Sequence, residues 1–246
     1  MSFISIFGQY MLFLSKVFKR PERLSVYWKL IISEIYILGI KSLPFVIFVS
    51  VFVGAVVTLQ TEANLEEGWL PRYLIGLATR DSIILEFSPT IISLLLAGKV
   101  GSYIASGIGT MKVTEQIDAL EIMGVNPEGY LVLPKIIALV FINPFLIIIS
   151  MFIGITGGWL AGEITGACSS TDFILGLQYQ FGFYKVAYAL TKTVLFAFII
   201  GSVSAFYGFY TEGGALEVGQ SSTKAVVNSS VIVIVMNLVL TDILLS

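Results

Sequence analysis

Long apolar segments, separated by shorter polar ones, are the main pattern along the chain. Residues 44–59, 136–162 and 193–211 contain no charged side chain. About 20 apolar residues in a helix cross the roughly 30 Å hydrocarbon core of a bilayer. Only a helix satisfies its backbone groups within one such segment, and the alternation typical of membrane β-strands is missing. The pattern therefore predicts an all-α integral membrane protein.

The apolar segments predict about five membrane-spanning helices, which together form a transmembrane domain over residues 44–246. The predicted spans cover residues 44–60, 82–105, 131–161, 184–208 and 224–244. The second span has a helical lead-in from Pro71. These lengths match or exceed what a bilayer requires.

Residues 1–43 repeat apolar side chains at helical spacing but also carry charges. Phe7, Met11 and Leu14 share one face of a first helix, and Tyr27 and Ile31 share one face of a second. This pattern is typical of amphipathic helices that lie in the membrane interface. We therefore expect two interfacial helices before the first span. An N-terminal span broken by charge is the alternative.

Charge is scarce and unevenly placed. Charged residues make up 12% of the chain, against about 25% in a typical soluble domain. With the N-terminus inside, ten basic residues fall in the inner segments: Lys16, Lys19, Arg20, Arg23, Lys29, Lys41, Lys99, Lys112, Lys135 and Lys224. The outer segments hold three: Arg72, Arg80 and Lys185. Because Lys and Arg are enriched in cytoplasmic loops, we expect a cytoplasmic N-terminus and, with five spans, a C-terminus on the opposite side.

The chain has no histidine and one cysteine, Cys168. These counts exclude Ser–His and Cys–His catalytic pairs, an internal disulfide and a cysteine-only metal site within the chain. The segment GIGTMKVT does not have the spacing of the G-x-x-x-x-G-K-[ST] phosphate-binding loop. We expect no catalytic residue, metal or cofactor on this chain and no nucleic-acid partner, so any ATP hydrolysis belongs to another subunit.

The inner segment after the second span predicts a short cytoplasmic helix at about 110–124. Thr114 is expected to cap the helix, and Gly124, followed by Pro127, is expected to end it. An acidic stripe and an apolar stripe run along it, with Gln116 between them. The acidic stripe contains Glu115, Asp118 and Glu121, and the apolar stripe contains Ile117, Leu120 and Met123. Such a helix suits a groove of another protein, and a solvated link between two spans is the alternative.

Three polar side chains fall at similar depths within the predicted spans. Glu86, Lys192 and Asn237 lie roughly 20–24 Å from the inner ends of their helices, at 1.5 Å per residue. Charged groups inside a bilayer are costly and usually face a cavity or a partner. Our hypothesis is that the three line an outward-facing cavity for a lipid headgroup, with Glu86 and Lys192 close enough to pair. A buried structural ion pair without substrate contact is the alternative.

Residues beside these polar groups are candidates for contact with acyl chains. Val53, Val57 and Gln60 share one face of the first span near its outer end, and Phe87 and Ile91 follow Glu86 on the second. The alternative is that they only pack helices together or face the bilayer.

Four short motifs lie between Glu86 and Pro127, in the segment EFSPTIISLLLAGKVGSYIASGIGTMKVTEQIDALEIMGVNP. They are a Glu-x-x-Pro start, an Ala-Gly-Lys-x-Gly-Ser turn, a Met-Lys-x-Thr-Glu-Gln run and a Met-x-Val-Asn-Pro close. With these motifs the chain resembles the MlaE-type permeases, the membrane subunits of ABC transporters that move phospholipid or related lipids with MCE-domain proteins. Leu59-Gln60, Lys192 and the C-terminal segment SSTKAVVNSSVIVIVMNLVLTDIL extend the resemblance over nearly the whole chain.

The resemblance implies a homodimeric permease in the bacterial inner membrane, with a cytoplasmic N-terminus and a periplasmic C-terminus. The helix at 110–124 would be the coupling helix that contacts a separate ATPase subunit, which would bind ATP and Mg²⁺. An MCE-domain substrate-binding protein would dock on the outer face, and a small STAS-type regulatory subunit is an optional component. The implied substrate is phospholipid, and the implied role is in outer-membrane lipid asymmetry.

The chain departs from the family pattern at two positions. Leu85 stands where many relatives carry Arg, and Asn237 stands where an acidic residue is frequent. We therefore expect the polar residues of the cavity to differ from those of many relatives.

Two other functional classes stay open. A stand-alone ion-coupled secondary transporter or channel would use Glu86, Lys192 and Asp242 as a proton path, although five spans without a repeat do not match the usual inverted-repeat architecture. A structural scaffold would bind the same partners without ATP-dependent lipid movement. Co-purification of an ATPase would separate the first class from the transporter implied by the resemblance.

Overall fold

A computed structural model describes residues 3–19, 24–65 and 71–245. Within these ranges every regular element is helical. Five of the described helices are long and apolar enough to cross a membrane, and we number them spans 1 to 5 in chain order. They are Tyr27–Leu65, Tyr73–Val113, Glu128–Thr165, Phe183–Phe209 and Ala215–Leu244. Each contains one of the five predicted spans, so the prediction of a five-span, all-α membrane protein is confirmed.

The spans are assembled from several kinds of helix. The α-helices are α1 (Phe3–Val17), α2 (Leu24–Glu34), α3 (Leu43–Leu65), α4 (Tyr73–Ser82), α5 (Ile92–Leu96), α6 (Ser102–Val113), α7 (Gln116–Ile122), α8 (Leu133–Thr165), α9 (Ser170–Gln178), α10 (Phe183–Phe209) and α11 (Ala215–Leu245). The described residues also form π-helical segments at Ile35–Gly39, Ile83–Ile91, Ala97–Gly101 and Glu128–Val132 and a 3₁₀ segment at Ile40–Ser42. All of these irregular segments lie inside spans.

The N-terminal region differs from its prediction in one respect. α1 is a separate helix, but α2 continues through a π-helical and a 3₁₀ segment into α3. The change of helix type comes directly before Pro44, whose nitrogen has no hydrogen to donate to the preceding turn. The backbone therefore adapts without ending, and the second expected helix is part of span 1. The interfacial position of α1 and the boundary at residue 43 stay predictions, and Arg20 and Arg23 lie outside the described residues.

Spans 1 to 3 are much longer than a bilayer requires. They contain 39, 41 and 38 residues, whereas about 20 residues cross the hydrocarbon core. At 1.5 Å per residue, each of these helices is longer than the thickness of the hydrocarbon core.

The chain packs as two compact units. The first comprises Met1–Lys41, Leu94–Ile142 and Val194–Ser246, and the second comprises Ser42–Ser93 and Asn143–Thr193. In the second unit, close helix contact depends on small residues. A Cβ atom at Gly54 would overlap the carbonyl oxygen of Gly154, so only glycine permits this approach of α3 to α8.

In the first unit, α1 packs against the last turns of α10. Phe13 is buried, and its ring centroid lies 5.7 Å from that of Phe206 and 5.5 Å from that of Phe209. Such ring pairs are favourable beyond the area they bury. The aromatic contacts fix the position of α1 within the first unit.

Candidate functional site

Glu86 and Lys192 form an ion pair within the second unit. Lys192 Nζ lies 2.8 Å from Glu86 Oε1 and 4.5 Å from the centroid of the Tyr188 ring. The Lys192 side chain is fully enclosed, whereas 41% of the Glu86 side chain is exposed. The structure therefore brings together two of the three predicted polar residues, and the pair has one closed side and one open side.

The local backbone around Glu86 is shaped by Pro89. Proline cannot donate a hydrogen bond, and its ring crowds the carbonyl four residues earlier, which here belongs to Leu85. Span 2 is π-helical at Ile83–Ile91, and Lys192 Nζ donates to Leu85 O at 3.4 Å. Thr90 Oγ1, one turn after Glu86, donates to Glu86 Oε2 at 3.2 Å. π-Helical insertions within α-helices are frequent at functional sites, and this one extends over nine residues.

A row of buried serine hydroxyls joins three helices in the same unit. Ser50 Oγ on α3 lies 2.8 Å from Ser150 Oγ on α8, and Ser150 Oγ donates to Ser88 Oγ in the π-helical segment at 3.0 Å. Val53 and Phe87 line a narrow cleft beside these hydroxyls. The row links the π-helical segment to both neighbouring spans through hydrogen bonds.

The other predicted lining residues have varied surroundings. Val57 is buried, Ile91 is partly buried and Gln60 is exposed, all within the second unit. Asn237 belongs to the first unit, is partly exposed and lies on α11. The role of all these residues in lipid contact stays a prediction.

Sequence reasoning missed a polar cluster around Arg80. The Arg80 side chain is 2% exposed, and its Nη1 donates to Leu177 O at 2.7 Å and to Tyr179 O at 2.9 Å. These carbonyls lie at the C-terminal end of α9, where helix carbonyls lack intrahelical partners. Asp81 completes the cluster, because Oδ1 accepts from Arg80 Nε at 2.9 Å and Oδ2 accepts from Lys185 Nζ at 2.6 Å.

The sequence contains only a weak signal for this cluster. Arg80 and Asp81 are adjacent opposite charges directly before an apolar run, a position that favours a structural role over a loop charge. From its position in the sequence, Arg80 is predicted only to be an outer basic residue. Besides Asp81, its partners include two backbone carbonyls at sequence separations of 97 and 99.

Cys168 lies in the second unit, in an apolar cluster with Ile75 and Phe173. Burial raises the pKa of the Cys168 thiol, and the Asp172 carboxylate raises it further. The folded chain therefore protects its single thiol from reaction.

The predicted coupling helix has different boundaries from those expected. α6 continues to Val113, and Thr114 donates back to Thr110 O at 2.8 Å, so Thr114 does not cap the next helix. Glu115 stands at the cap position of α7 with a left-handed φ of 59° and no side-chain capping bond. Gly124, with φ of +77°, ends the segment as predicted.

One face of α7 is buried and the other is open. Ile117 is enclosed, Leu120 is partly buried, and Lys112 Nζ lies 2.6 Å from Asp118 Oδ1. The exposed face carries Ile122 and Met123, which are 87% and 68% exposed. Glu115, Gln116 and Glu121 are exposed beside them. We name these five residues the α7 surface, and it combines an apolar centre with an acidic rim.

The segment after α7 holds the end of α1, a second feature that sequence reasoning missed. Asn126 Nδ2 donates to Lys16 O at 3.0 Å and to Lys19 O at 2.8 Å. Lys16 Nζ lies 3.3 Å from Glu128 Oε1. The only sequence signal is the Asn-Pro pair at the close of the fourth motif.

The sequence is similar to a family of membrane permeases. The family model described as permease MlaE matches residues 31–243. A probable ABC transporter permease protein of Rickettsia typhi is 35% identical over 231 residues, which cover 94% of this chain and 87% of that protein. A probable ABC transporter permease protein of Synechocystis sp. is 32% identical over 84% of this chain and 78% of that protein. Protein TRIGALACTOSYLDIACYLGLYCEROL 1, chloroplastic, of Arabidopsis thaliana is 31% identical over 88% of this chain and 62% of that protein.

Proposed function

The chain belongs to the MlaE permease family, and from this we propose that it is the transmembrane permease subunit of an ABC transporter that moves phospholipid or a related lipid between the inner membrane and an MCE-domain partner. The permease role has the strongest support, because five spans accompany similarity to ABC transporter permeases over most of the chain. A lipid cargo is supported by the name of the Arabidopsis relative, which contains the lipid term trigalactosyldiacylglycerol.

The observation that carries the lipid proposal is the asymmetry of the Glu86–Lys192 pair. A purely structural ion pair in a membrane span is best shielded on both sides, because unpaired charge is costly there. Here Lys192 is enclosed while 41% of the Glu86 side chain stays exposed. A carboxylate that is held by a buried cation and by the Thr90 hydroxyl, and that is still 41% exposed, can receive the ammonium or hydroxyl groups of a lipid headgroup.

The α7 surface supports a separate ATPase partner. Apolar side chains as exposed as Ile122 and Met123, within an acidic rim, are typical of a binding surface rather than of a solvated link. The partner would hold ATP and Mg²⁺, while this chain would change shape when α7 is displaced. The complex would be a homodimer of this chain with its ATPase and an MCE-domain protein, with the STAS-type subunit optional.

In this proposal the chain lies in the bacterial inner membrane. The N-terminus and α7 would be cytoplasmic, and the C-terminus would be periplasmic, as the distribution of Lys and Arg favours.

The headgroup role of Glu86 is tested by charge exchange. Glu86→Lys combined with Lys192→Glu keeps an ion pair but moves the carboxylate to the enclosed position. We expect this variant to assemble with the ATPase yet transfer little phospholipid. Restoration of both assembly and lipid transfer would show that the pair is structural only.

The partner is tested by purification. We expect an ATPase to co-purify with the chain when both are co-expressed, and Ile122→Asp to abolish this association. A chain that moves ions across vesicles alone, without any ATPase, would instead support the ion-coupled transporter.

A further inference from the structure

Asn126 contacts two elements at once. Its Nδ2 donates to the carbonyls of Lys16 and Lys19 at 3.0 and 2.8 Å, and its Oδ1 accepts from Gly129 N at 3.4 Å. Lys16 O lies in the last turn of α1 and also accepts from Lys19 N at 3.1 Å, whereas Lys19 O follows that turn, where intrahelical donors run out. One amide side chain therefore caps α1 and, at the same time, fixes the first turn of span 3.

Two further contacts reinforce this junction within the first unit. Lys16 Nζ lies 3.3 Å from Glu128 Oε1, and the Glu128 side chain is almost enclosed. The Tyr27 hydroxyl donates to Gly129 O at 3.3 Å. The segment directly after α7 is thus fastened to α1 and to the beginning of span 1.

The other contacts of α1 lead to span 4. Ser202 Oγ lies 2.6 Å from Phe198 O, to which it donates, and 2.7 Å from the Tyr10 hydroxyl, which is then the donor to Ser202. A phenol has a usual pKa of about 10 and so keeps its proton at neutral pH, and burial raises the pKa of Tyr10 further. Phe13 adds ring contacts to Phe206 and Phe209 in the same helix.

We propose that Asn126 is a positioning residue that joins α1 to the α7 segment, so that displacement of α7 is transmitted through α1 to span 4. The proposal rests on the proposed function, because the displacement originates in the ATPase partner. Gly124 and two further residues connect α7 to Asn126, too short a link to absorb much movement. Span 4 also carries Lys192, so the transmitted movement acts on the helix that holds the buried cation.

The link requires an amide, because a carboxylate has no hydrogen to donate. Asn126→Asp keeps the size of the side chain but replaces both donors with an acceptor that repels the two carbonyls. Asn64→Asp makes the same change at an exposed position in the second unit and serves as the control. Tyr10→Phe removes only the hydroxyl that α1 presents to Ser202, near the middle of the helix.

The first measurement needs no partner and follows amide hydrogen exchange in the purified chain. Loss of two hydrogen bonds at the end of α1 is expected to raise exchange in its last turn by about tenfold in Asn126→Asp. Asn64→Asp should leave exchange in α1 unchanged. If exchange in α1 is unchanged in Asn126→Asp, this result alone would show that Asn126 does not hold α1.

The second measurement is the amount of lipid transferred per ATP hydrolysed, in vesicles that hold the chain with its ATPase. Asn126→Asp and Tyr10→Phe should each lower this ratio at least threefold while the ATPase stays bound. Because both act on one route, the double variant should be no worse than the poorer single variant. If the double variant shows the product of the two single losses, or if neither single variant changes the ratio, the proposed transmission through α1 is wrong. Failure of the wild-type chain to bind any ATPase would instead overturn the proposed function.

Discussion

Replacement of Glu86 and replacement of Lys192 are expected to destabilise the protein by unequal amounts. Glu86→Leu leaves the Lys192 ammonium enclosed, with Leu85 O at 3.4 Å and the Tyr188 ring at 4.5 Å among its remaining contacts. Lys192→Met leaves a carboxylate that is 41% exposed, and water in the proposed outward-facing cavity would hydrate it. The stranded charge is thus costly in the first variant and much cheaper in the second.

The size of the difference follows from this geometry. Removal of one partner from a buried ion pair costs about 3–5 kcal/mol, and the remaining contacts of Lys192 favour about 3 kcal/mol for Glu86→Leu. An ion pair with an exposed member contributes about as little to stability as a surface ion pair. Lys192→Met should therefore lower the free energy of unfolding by about 1 kcal/mol. The double variant removes both charges, and its free energy of unfolding should lie within about 1 kcal/mol of that of the wild type. Apolar replacement of a buried ion pair often leaves stability nearly unchanged.

Thermal unfolding in detergent, followed by a thiol-reactive dye, measures these costs. Cys168 is the only cysteine, is buried and belongs to the same unit as the pair, so its labelling reports the unfolding of that unit. At roughly 2–4 °C per kcal/mol for a chain of this size, the two single variants should differ by about 4–8 °C in Tm. Equal losses in the two single variants, or additive losses in the double variant, would refute the electrostatic asymmetry.

Three further predictions concern packing and docking. Arg80→Ala should lower the free energy of unfolding by about 2 kcal/mol and speed amide exchange in α9. Arg80→Lys should recover little of this stability, because lysine lacks the planar guanidinium that contacts two carbonyls. Gly54→Ala should cost about 1–3 kcal/mol in thermal unfolding because its Cβ overlaps the Gly154 backbone, whereas Gly98→Ala has free space and should be neutral or stabilising. Ile122→Asp should leave Tm unchanged, because this side chain is 87% exposed, but should weaken binding of the ATPase more than tenfold in a pull-down titration.

The spans and the central ion pair could be predicted from the sequence because both depend on the spacing of residues along the chain. Apolar length fixes where helices cross a membrane, and a constant rise per residue converts position into depth. The similar depths of Glu86 and Lys192 therefore predicted that they could meet, and the structure pairs them. Depth alone does not give the rotation of a helix, and for that reason the enclosure of Lys192 was not predicted.

The predicted helix boundaries near α7 were wrong because a glycine in the sequence can indicate either a break in a helix or close packing of two helices. The predicted helix begins at about residue 110, yet α6 runs through this position to Val113. A Cβ atom at Gly109 would lie 3.1 Å from Thr211 Oγ1 and 3.4 Å from a methyl carbon of Val218. The glycine therefore permits close packing rather than a break, which only the tertiary contacts reveal.

The Arg80 cluster and the Asn126 junction could not be found because their partners are backbone carbonyls. Any residue provides a carbonyl, so the sequence around Leu177 or Lys16 gives no sign of the contact. Such contacts depend on where helix ends meet in space. Polar side chains that satisfy helix ends are therefore the class of interaction that spacing arguments miss here.

The central claim is that this chain is a passive permease driven by a separate ATPase. The most direct test uses vesicles that contain the chain and its co-purified ATPase. It measures transfer of a fluorescent phospholipid between these vesicles and an MCE-domain protein, in either direction. Transfer should require hydrolysable ATP and should be lost both in an ATPase variant that binds but does not hydrolyse ATP and in the Glu86–Lys192 charge exchange. Equal transfer by vesicles that contain this chain alone, with no nucleotide present, would contradict the account.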